Sequence, residues 1–520
     1  MIAAHPVLTC AETKEFEAAY FGGDEAREWI AMLQAGRSVA EAVLRDFKEI
    51  GGFPADGRVL VLAGKGHNAG DALIAAHRIV ELHPHASIKV RFVFGECTLR
   101  PLAQRAWRDL APVASVVGRL LAGASDLAER EQARGLPSDF VAASVSEWGS
   151  AGYDLVLDGV FGFQFRPPLS PAVATLLAEV NALPIRLRAA VDLPSGLDAS
   201  SAFRADFTYA TGIVKAPVIT LPNVGRLRYL DLGFFPSSPK PADITCNLIG
   251  GKLGWVLTSA TLDPLRALRP SQSDKRTYGH LFVVGGSRHY PGAVLMSVLA
   301  ALRSGAGLVT AFVPESLAPA FAARLPEAMW VGWPETPEGG LALEGSHLLR
   351  EKISRATALL IGPGLGREAE TLALAKDIVG QSSLPLVIDA DALQPDIVAR
   401  GNAPRVLTPH AGEYARIEHV VPATAVTVRK GPLTQLHSAG AVYHSPFGGP
   451  VLARGGSGDL LAGLIGGLLA QAPADPLGAA ARGVVWHGLA ADELARAHGQ
   501  VAVTTTQLIE FLPQALRAVK

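Results

Sequence analysis

Val451-Leu-Ala-Arg-Gly-Gly-Ser-Gly-Asp459, followed by the apolar run Leu460 to Ala470, is the stretch on which the reading of this chain turns. Gly455, Gly456, Ser457 and Gly458 carry no bulky side chain, so a ligand can approach their backbone N–H groups closely. Asp459 opens a predicted helix over residues 460–470. A helix start offers unpaired N–H donors and a partial positive charge, which suits a phosphate or another anion. The one carboxylate at that mouth stands where a general base would work beside the bound anion. The plainer alternative is Asp459 as a simple N-cap. Residues elsewhere have to decide between the two.

Composition narrows the field. At 520 residues the chain exceeds one ordinary core, so two domains are expected. Hydrophobic residues make up 49% and charged residues 18%, enough to fill large cores and against disorder. A net charge of −1 leaves no electrostatic footprint for nucleic acid or an anionic membrane. Cys10, Cys97 and Cys246 lie far apart, with no metal or disulfide spacing. The run 460–470 is about half of what crossing a bilayer requires. Met1-Ile-Ala-Ala-His-Pro6 shows no basic region followed by an apolar one. The expectation is a soluble cytoplasmic protein.

Outward from the glycine stretch, the second half alternates predicted strands with glycine turns and helices. His280 to Val284 runs into Gly285-Gly-Ser287, and a small-residue helix spans 292–304. Strands follow at 307–313 and 356–361 (ending in Gly362-Pro-Gly-Leu-Gly366), and the stretches 386–391, 405–410 and 426–431 repeat the theme, the last of them closing the set. Their ends carry Asp389, Asp391, His410 and Lys430. Lys430 suits phosphate charge, or is simply a solvated strand-end lysine. His410, between Thr408-Pro409 and Gly412-Glu413, suits substrate contact or proton shuttling, or a hydrogen-bonded turn. Asp389 and Asp391 flank Ala390, so one of the two is expected to face the crevice. His487 is expected to pack within a helix.

The first half is built the same way. Two helices are predicted over 12–20 and 26–47. Then come strand 58–64, the turn Lys65 to Gly70, helix 71–82 and strand 87–94. Strand 153–158 ends in Asp158-Gly-Val-Phe-Gly162, and strand 186–191 ends in Asp192-Leu-Pro-Ser-Gly-Leu-Asp198. In an open parallel sheet, ligands bind outside the carboxyl ends of strands. Asn68, Asp158, Asp192 and Ser195 would then converge on one crevice, with oxygen donors suited to a hard cation. Each Asp singly has a turn-capping alternative. Pro236-Ser-Ser-Pro-Lys-Pro-Ala-Asp243 reads as a linker. It puts the domain boundary near residue 245, giving domains 1–244 and 245–520.

Gly64-Lys-Gly-His-Asn-Ala-Gly-Asp71, Asp158 to Gly162, Val191 to Asp198 and Ala35-Gly-Arg37 resemble the signatures of NAD(P)H-hydrate epimerases. The resemblance implies a Rossmann-like three-layer domain that interconverts R and S hydrated nicotinamide nucleotides. It implies potassium held by Asn68, Asp158 and Ser195, and Asp192 as acid/base residue. Substrate would bind at His67, Asn68, Ala69, Gly70, Asp71 and Gly162, and Lys215 matches a lysine near the substrate pocket. The family's loop pattern is Gly-x-Gly-Asn-Asn-Gly-Gly-Asp-Gly. Here His67, Ala69 and Ala72 replace its first Asn and two of its glycines, and the segment after Asp198 is short.

In the second half, Gly285 to Ser287, Ala300 to Val309, Gly362 to Gly366, Asp389-Ala-Asp-Ala-Leu393, Thr408 to Glu413, Lys430-Gly431 and Gly455 to Asp459 resemble the ADP-dependent NAD(P)H-hydrate dehydratases. That implies a ribokinase-like α/β domain with ADP as phosphoryl donor and magnesium on its phosphates. Lys430, Gly431, Pro432, Leu433, Thr434, Gly455, Gly456, Ser457 and Gly458 would bind the nucleotide. Ala293, Gly366 and His410 would bind the hydrated dinucleotide, and Asp459 would be catalytic. The stretch between Glu413 and Lys430 is shorter than usual for the family. The joint resemblance implies a bifunctional repair enzyme acting on small molecules as a homo-oligomer, with no nucleic acid or membrane partner. The competing expectation is a ribokinase-fold small-molecule kinase with a non-catalytic N-terminal module.

Overall fold

The computed structural model describes residues 2–117, 152–236 and 253–517. The described residues form two compact units, one of residues 6–236 and one of residues 254–517 together with residues 2–5. The boundary expected near residue 245 falls outside the described residues.

In the first unit, β1 (Arg58–Ala63), β2 (Ser87–Phe92), β3 (Ala114–Val116), β4 (Tyr153–Gly159), β5 (Ile185–Val191), β6 (Phe207–Thr211) and β7 (Arg226–Leu230) form one sheet. Its order is β3-β2-β1-β4-β5-β6-β7, and every pairing is parallel. Strands covered on both faces read as apolar runs, and all of β1 after Arg58 is buried. The order reverses between β1 and β4, the switch point where such sheets open a crevice at their carboxyl edge.

Two helices build the wall beside it. α1 (Cys10–Phe21) starts at a capping box between Thr9 and Glu12. α2 (Glu25–Phe47) buries Trp29, Met32, Gly36, Val39, Val43 and Phe47 at three- and four-residue spacing, the stripe of an amphipathic helix. That stripe packs on α3 (His67–Leu82), where a Cβ on Gly36 would lie 2.6 Å from Ile74 Cβ. Only glycine permits this approach. The stretch 208–221, strand-like in sequence, divides into β6, a short strand Val214–Lys215 that pairs in parallel with Val7 and Leu8, and a helical turn at Pro217–Thr220.

The second unit carries β8 (Trp255–Leu257), β9 (His280–Val284), β10 (Leu308–Pro314), β11 (Met329–Trp333), β12 (Ala358–Ile361), β13 (Leu386–Ile388), β14 (Arg405–Leu407), β15 (Val426–Arg429), β16 (Thr434–Ser438) and β17 (Ala441–Ser445). The order is β11-β10-β9-β12-β13-β14-β15-β16-β17-β8, with β16 antiparallel to both neighbours. The strand order reverses between the parallel neighbours β9 and β12, so Gly285–Ser287 and Gly362–Gly366 share one crevice edge. Lys430 therefore does not follow the last strand, as expected, because the β16–β17 hairpin continues the sheet.

α4 (Pro291–Arg303) and α5 (Ser457–Gln471) cover this sheet. The apolar run is a core helix: Leu460 to Ala470 is buried throughout. A Cβ on Gly463 would meet Ser297 O at 2.1 Å, and one on Gly467 would meet Ser304 Oγ at 2.0 Å. These glycines let α5 lie close against α4. Among the described residues no helix is long and apolar enough to cross a membrane.

Candidate functional site

Each unit gathers its chemistry at the switch point of its sheet. In the first unit, α3 begins at His67, four residues before the expected start at Asp71. The glycine turn is thus mostly a helix start. Ala69 N and Gly70 N both donate to Gly66 O within it, at 3.1 and 3.3 Å. Ala69 is fully buried, and a Cβ on Gly70 would strike Met32 Sδ at 2.5 Å. These two residues face the core, while His67, Asn68 and Asp71 line a cavity of about 700 Å³. Gly162, Asp192 and Lys215 line it too, with Phe94, Phe163 and Phe165 supplying aromatic wall.

Behind the cavity floor lies a tight oxygen cluster. Asp158, fully buried at the end of β4, accepts from Ser195 Oγ at 2.6 Å, Ser195 N at 2.7 Å and Val160 N at 3.2 Å. Ser195 Oγ accepts from Phe161 N at 2.9 Å, and Asn68 Nδ2 donates to Phe161 O at 2.8 Å. Asn68 Oδ1 is buried without a partner. Burial pushes the Asp158 carboxyl up to about 6, against the pull of the Ser195 and Val160 donors. A buried carboxylate with only neutral donors, beside an orphaned amide oxygen, fits a hard monovalent cation.

Asp192 follows β5 with φ +65°, a left-handed conformation costly for any residue but glycine. Its N–H donates to Tyr209 O at 2.9 Å, which holds that turn. The carboxylate pairs with Lys215 Nζ, and Lys215 also donates to Thr211 O at 3.3 Å. Asp71 is pushed well above the usual carboxylate range by burial and then by Asp192. Glu17, a cavity residue without a motif, is raised to about 7, chiefly by burial. The sequence offered no signal for Glu17 beyond its place on a capped helix.

In the second unit, Gly456 caps α5 in the left-handed conformation (φ +89°), so the helix starts at Ser457. Asp459 is therefore neither opener nor N-cap but the third residue of the first turn. Its backbone carbonyl accepts from Ser297 Oγ at 2.9 Å. Burial, then Asp389, raises the Asp459 carboxyl to about 7, with Lys430 pulling the other way. First-turn N–H groups at 458 and 459 point out of the helix end.

Strand ends complete the site. Lys430 Nζ donates to Asp389 Oδ1 at 3.1 Å and lies 4.0 Å from Glu413 Oε2. It stands 3.0 Å from where a Cβ on Gly458 would sit. Asp389 also accepts from Thr408 Oγ1 at 2.6 Å. Both aspartates of the pair serve the crevice edge, because Asp391 accepts from Gly366 N at 3.0 Å. Burial acts to lower the Lys430 pKa, but Asp389, Glu413 and Asp459 carry it up, so it stays an ammonium.

His410 takes the capping reading without losing the crevice. Its Nδ1 accepts from Gly412 N at 3.0 Å and Glu413 N at 3.4 Å, which leaves Nε2 as the donor nitrogen. The ring is 62% exposed, and its Nε2 lies 3.5 Å from Glu413 Oε1. His487 lies in a helix as expected, fully enclosed, with Nε2 3.4 Å from Ser457 Oγ. Ala293 lies in the first turn of α4, packed on Gly364. Ser287 Oγ is buried without a partner, near Gly366, and its role was not read from the sequence. Gly431, Pro432 and Leu433 lie between β15 and β16, and Thr434 opens β16, its Oγ1 donating to Gly431 O at 3.4 Å.

Comparison with known proteins follows the same division. Residues 281–514 match the family described as NAD(P)H-hydrate dehydratase, and residues 29–217 match the YjeF-related protein N-terminus. The bifunctional NAD(P)H-hydrate repair enzyme Nnr of Moorella thermoacetica is 32% identical, over 94% of this chain and 92% of that protein. Its counterpart in Gloeobacter violaceus is 34% identical, over 98% and 97%. Among solved structures, a ribokinase-like superfamily protein from Enterococcus faecalis is 31% identical over 50% of this chain and 95% of its own, with a TM-score of 0.44. The ADP/ATP-dependent NAD(P)H-hydrate dehydratase of Bacillus subtilis, co-crystallised with ATP and magnesium, is 30% identical over 48% and 93%, with a TM-score of 0.41.

Proposed function

The chain belongs to the bifunctional NAD(P)H-hydrate repair enzymes, and from that premise we propose how its residues divide the work. The first unit epimerises R and S hydrated NADH and NADPH. The second dehydrates the S epimer to NAD(P)H, using ADP and releasing AMP and phosphate. We place the division between these activities at the linker near residue 245.

The observation that carries this reading is Asp459. Its carboxyl is raised to about 7 and meets no hydrogen-bond donor among the described residues. It stands in the first turn of a helix whose mouth also faces Lys430. In the proposed step, the terminal phosphoryl of ADP lies over Gly455, Gly456, Ser457 and Gly458, with Lys430 beside it and residues 431–434 along the nucleotide. Asp459 takes the proton of the ring hydroxyl, whose oxygen then bonds to the phosphoryl phosphorus as the bond to AMP breaks. The phosphate ester leaves far more readily than hydroxide. Its departure as phosphate, with loss of the neighbouring ring proton, restores the reduced nicotinamide. Ala293, Gly366 and His410 hold the dinucleotide, and positioning and charge supply most of the rate. Magnesium would ride on the nucleotide phosphates, as it does where no protein cage exists.

For epimerisation, Asp192 is the acid/base residue, and His67, Asn68, Asp71 and Gly162 hold the substrate. Asn68, Asp158 and Ser195 would hold potassium, which supplies a fixed positive charge near the substrate when bound. A homo-oligomer working in the cytoplasm, without nucleic acid or membrane partner, completes the proposal. The test is a cross of two variants in the full chain. Asp192→Asn should abolish enzymatic use of the R epimer alone, and Asp459→Asn should abolish NAD(P)H recovery from both epimers. Loss of both activities in Asp192→Asn, or of neither in Asp459→Asn, would refute the division.

A further inference from the structure

The cavity of the first unit holds a carboxyl that no motif accounts for. Glu17 lies on α1, ahead of residues 29–217 that match the family, yet it lines the same cavity as Asp71, Asp192 and Lys215. We propose that Glu17 is a second proton-transferring catalytic residue of epimerisation, working from α1 while Asp192 works from the end of β5. This rests on reading the cavity as the epimerase site.

The chemistry asks for two groups. In the hydrated ring the hydroxyl-bearing carbon is bonded to the ring nitrogen. Inverting it means breaking the C–O bond and remaking it on the opposite face. In one direction Glu17 gives its proton to the departing hydroxyl, the C–O electron pair goes to oxygen, and water leaves. The nitrogen lone pair closes a C=N bond. Water then adds from the other face, the C=N pair returns to nitrogen, and the excess proton passes to the Asp192 carboxylate. Solvent resets both groups, and no oxidation or reduction occurs. The reverse direction exchanges their roles. One carboxyl fixed on one face cannot serve both bond events, whereas two carried by different elements can.

The surroundings suit the task. Burial holds the Glu17 carboxyl near 7, Lys215 pulling it down and Asp192 and Glu28 pushing it up. The charged and titratable groups around it come from every wall. Cys10 and Lys14 share α1, and Glu28 comes from α2. His67 and Asp71 come from α3, Asp192 from the turn after β5, and Lys215 from the short strand. At neutral pH such a group is present in both forms and can give or accept a proton.

The test uses the full chain with Glu17→Gln, Glu17→Asp and Asp192→Asn. R-to-S conversion is read as NADH recovery with excess dehydratase, the spontaneous rate is subtracted, and pH is varied. Recovery from pure S epimer in the same samples checks the rest of the assay. The expected result is a fall in epimerisation kcat of about 100-fold in Glu17→Gln. The pH limb near 7 should be lost there and retained, shifted, in Glu17→Asp. An unchanged kcat and pH profile in Glu17→Gln, or a change in KM alone, with Asp192→Asn inactive, overturns the role of Glu17. Should Glu17→Gln not fold, an unshifted limb in Glu17→Asp overturns it instead. Full epimerisation in Asp192→Asn would instead overturn the epimerase reading of the cavity, and the proposal with it.

Discussion

Lys430 Nζ donates to Asp389 Oδ1 across 3.1 Å, tying the end of β15 to the end of β13 directly in front of the first turn of α5. The carboxylate is almost wholly buried, so the ammonium is aimed by a fixed partner and not by solvent. Its position is set before any anion arrives.

Removing that partner tests the aim. Asp389→Asn should lower kcat/KM for dehydration of the S epimer by about 10- to 100-fold, the loss of one charge-assisted hydrogen bond. The loss should fall mainly on the KM for the nucleotide, with epimerisation unchanged. Initial rates at varied ADP give both numbers.

Dehydration should depend on pH through Asp459. A general base works deprotonated, and burial beside Asp389 holds this carboxyl at about 7, above its ordinary range. Activity should therefore fall about tenfold per unit below pH 7 and level off above it. A profile of kcat/KM with a limb near 4 would mean that Asp459 is not the base. Asp459→Asn should lower the rate by about 10²- to 10⁴-fold.

The altered glycine loop should cost the epimerase little. Ala69 and Ala72 stand inside α3 with no positive φ, and Ala72 packs where a Cβ on Gly159 would come within 2.6 Å. Alanine suits that helical backbone better than glycine does. His67→Asn with Ala69→Gly should leave epimerisation within about twofold, while Ala69→Gly should lower stability by about 1 kcal/mol. A sharp rise in rate would show that the loop is impaired.

Asp46 on α2 binds Arg228 through Nε at 3.0 Å and Nη2 at 3.1 Å, and accepts from Tyr209 Oη at 3.2 Å, all buried. Asp46→Ala leaves the guanidinium without this carboxylate. It should destabilise the first unit by about 3–5 kcal/mol, read as a lower urea midpoint for loss of epimerase activity.

His487 makes stability fall in acid. Its folded pKa, lowered to about 4 by burial, lies below its unfolded value of 6.5, so the unfolded chain binds more protons between these limits. Stability should drop as pH falls from about 6.5 to 4, by roughly 3 kcal/mol in all. His487→Gln should flatten this slope in urea titrations across that range.

Much of this was legible in the residues, unevenly and for physical reasons. Strand cores such as Arg58–Ala63 and His280–Val284 announce themselves as apolar runs, and the glycines after them mark the crevice edges. Helix starts were read one to four residues late. Gly66-His-Asn-Ala-Gly70 and Gly455-Gly-Ser-Gly458 look like turns, but each helix already starts inside them, at His67 and at Ser457, with Gly70 close on Met32 and Gly456 close on Met296. β16, β17 and the Ala4–Leu8 strand escaped notice because they are short or weakly apolar. Pairings such as Lys430 with Asp389 cannot be read from spacing, since 41 residues separate them. Glu17 was invisible as chemistry for the same reason. Only the folded cavity brings it beside Asp71, Asp192 and Lys215.

The most direct test of the whole account is recovery of the near-ultraviolet absorbance of reduced nicotinamide by the purified chain. The reactions contain ADP, magnesium, potassium and either pure S or pure R hydrated NADH. The account predicts recovery from both, with the R signal reduced to the spontaneous rate in Asp192→Asn. No recovery from either epimer, with ADP or with ATP, would contradict it.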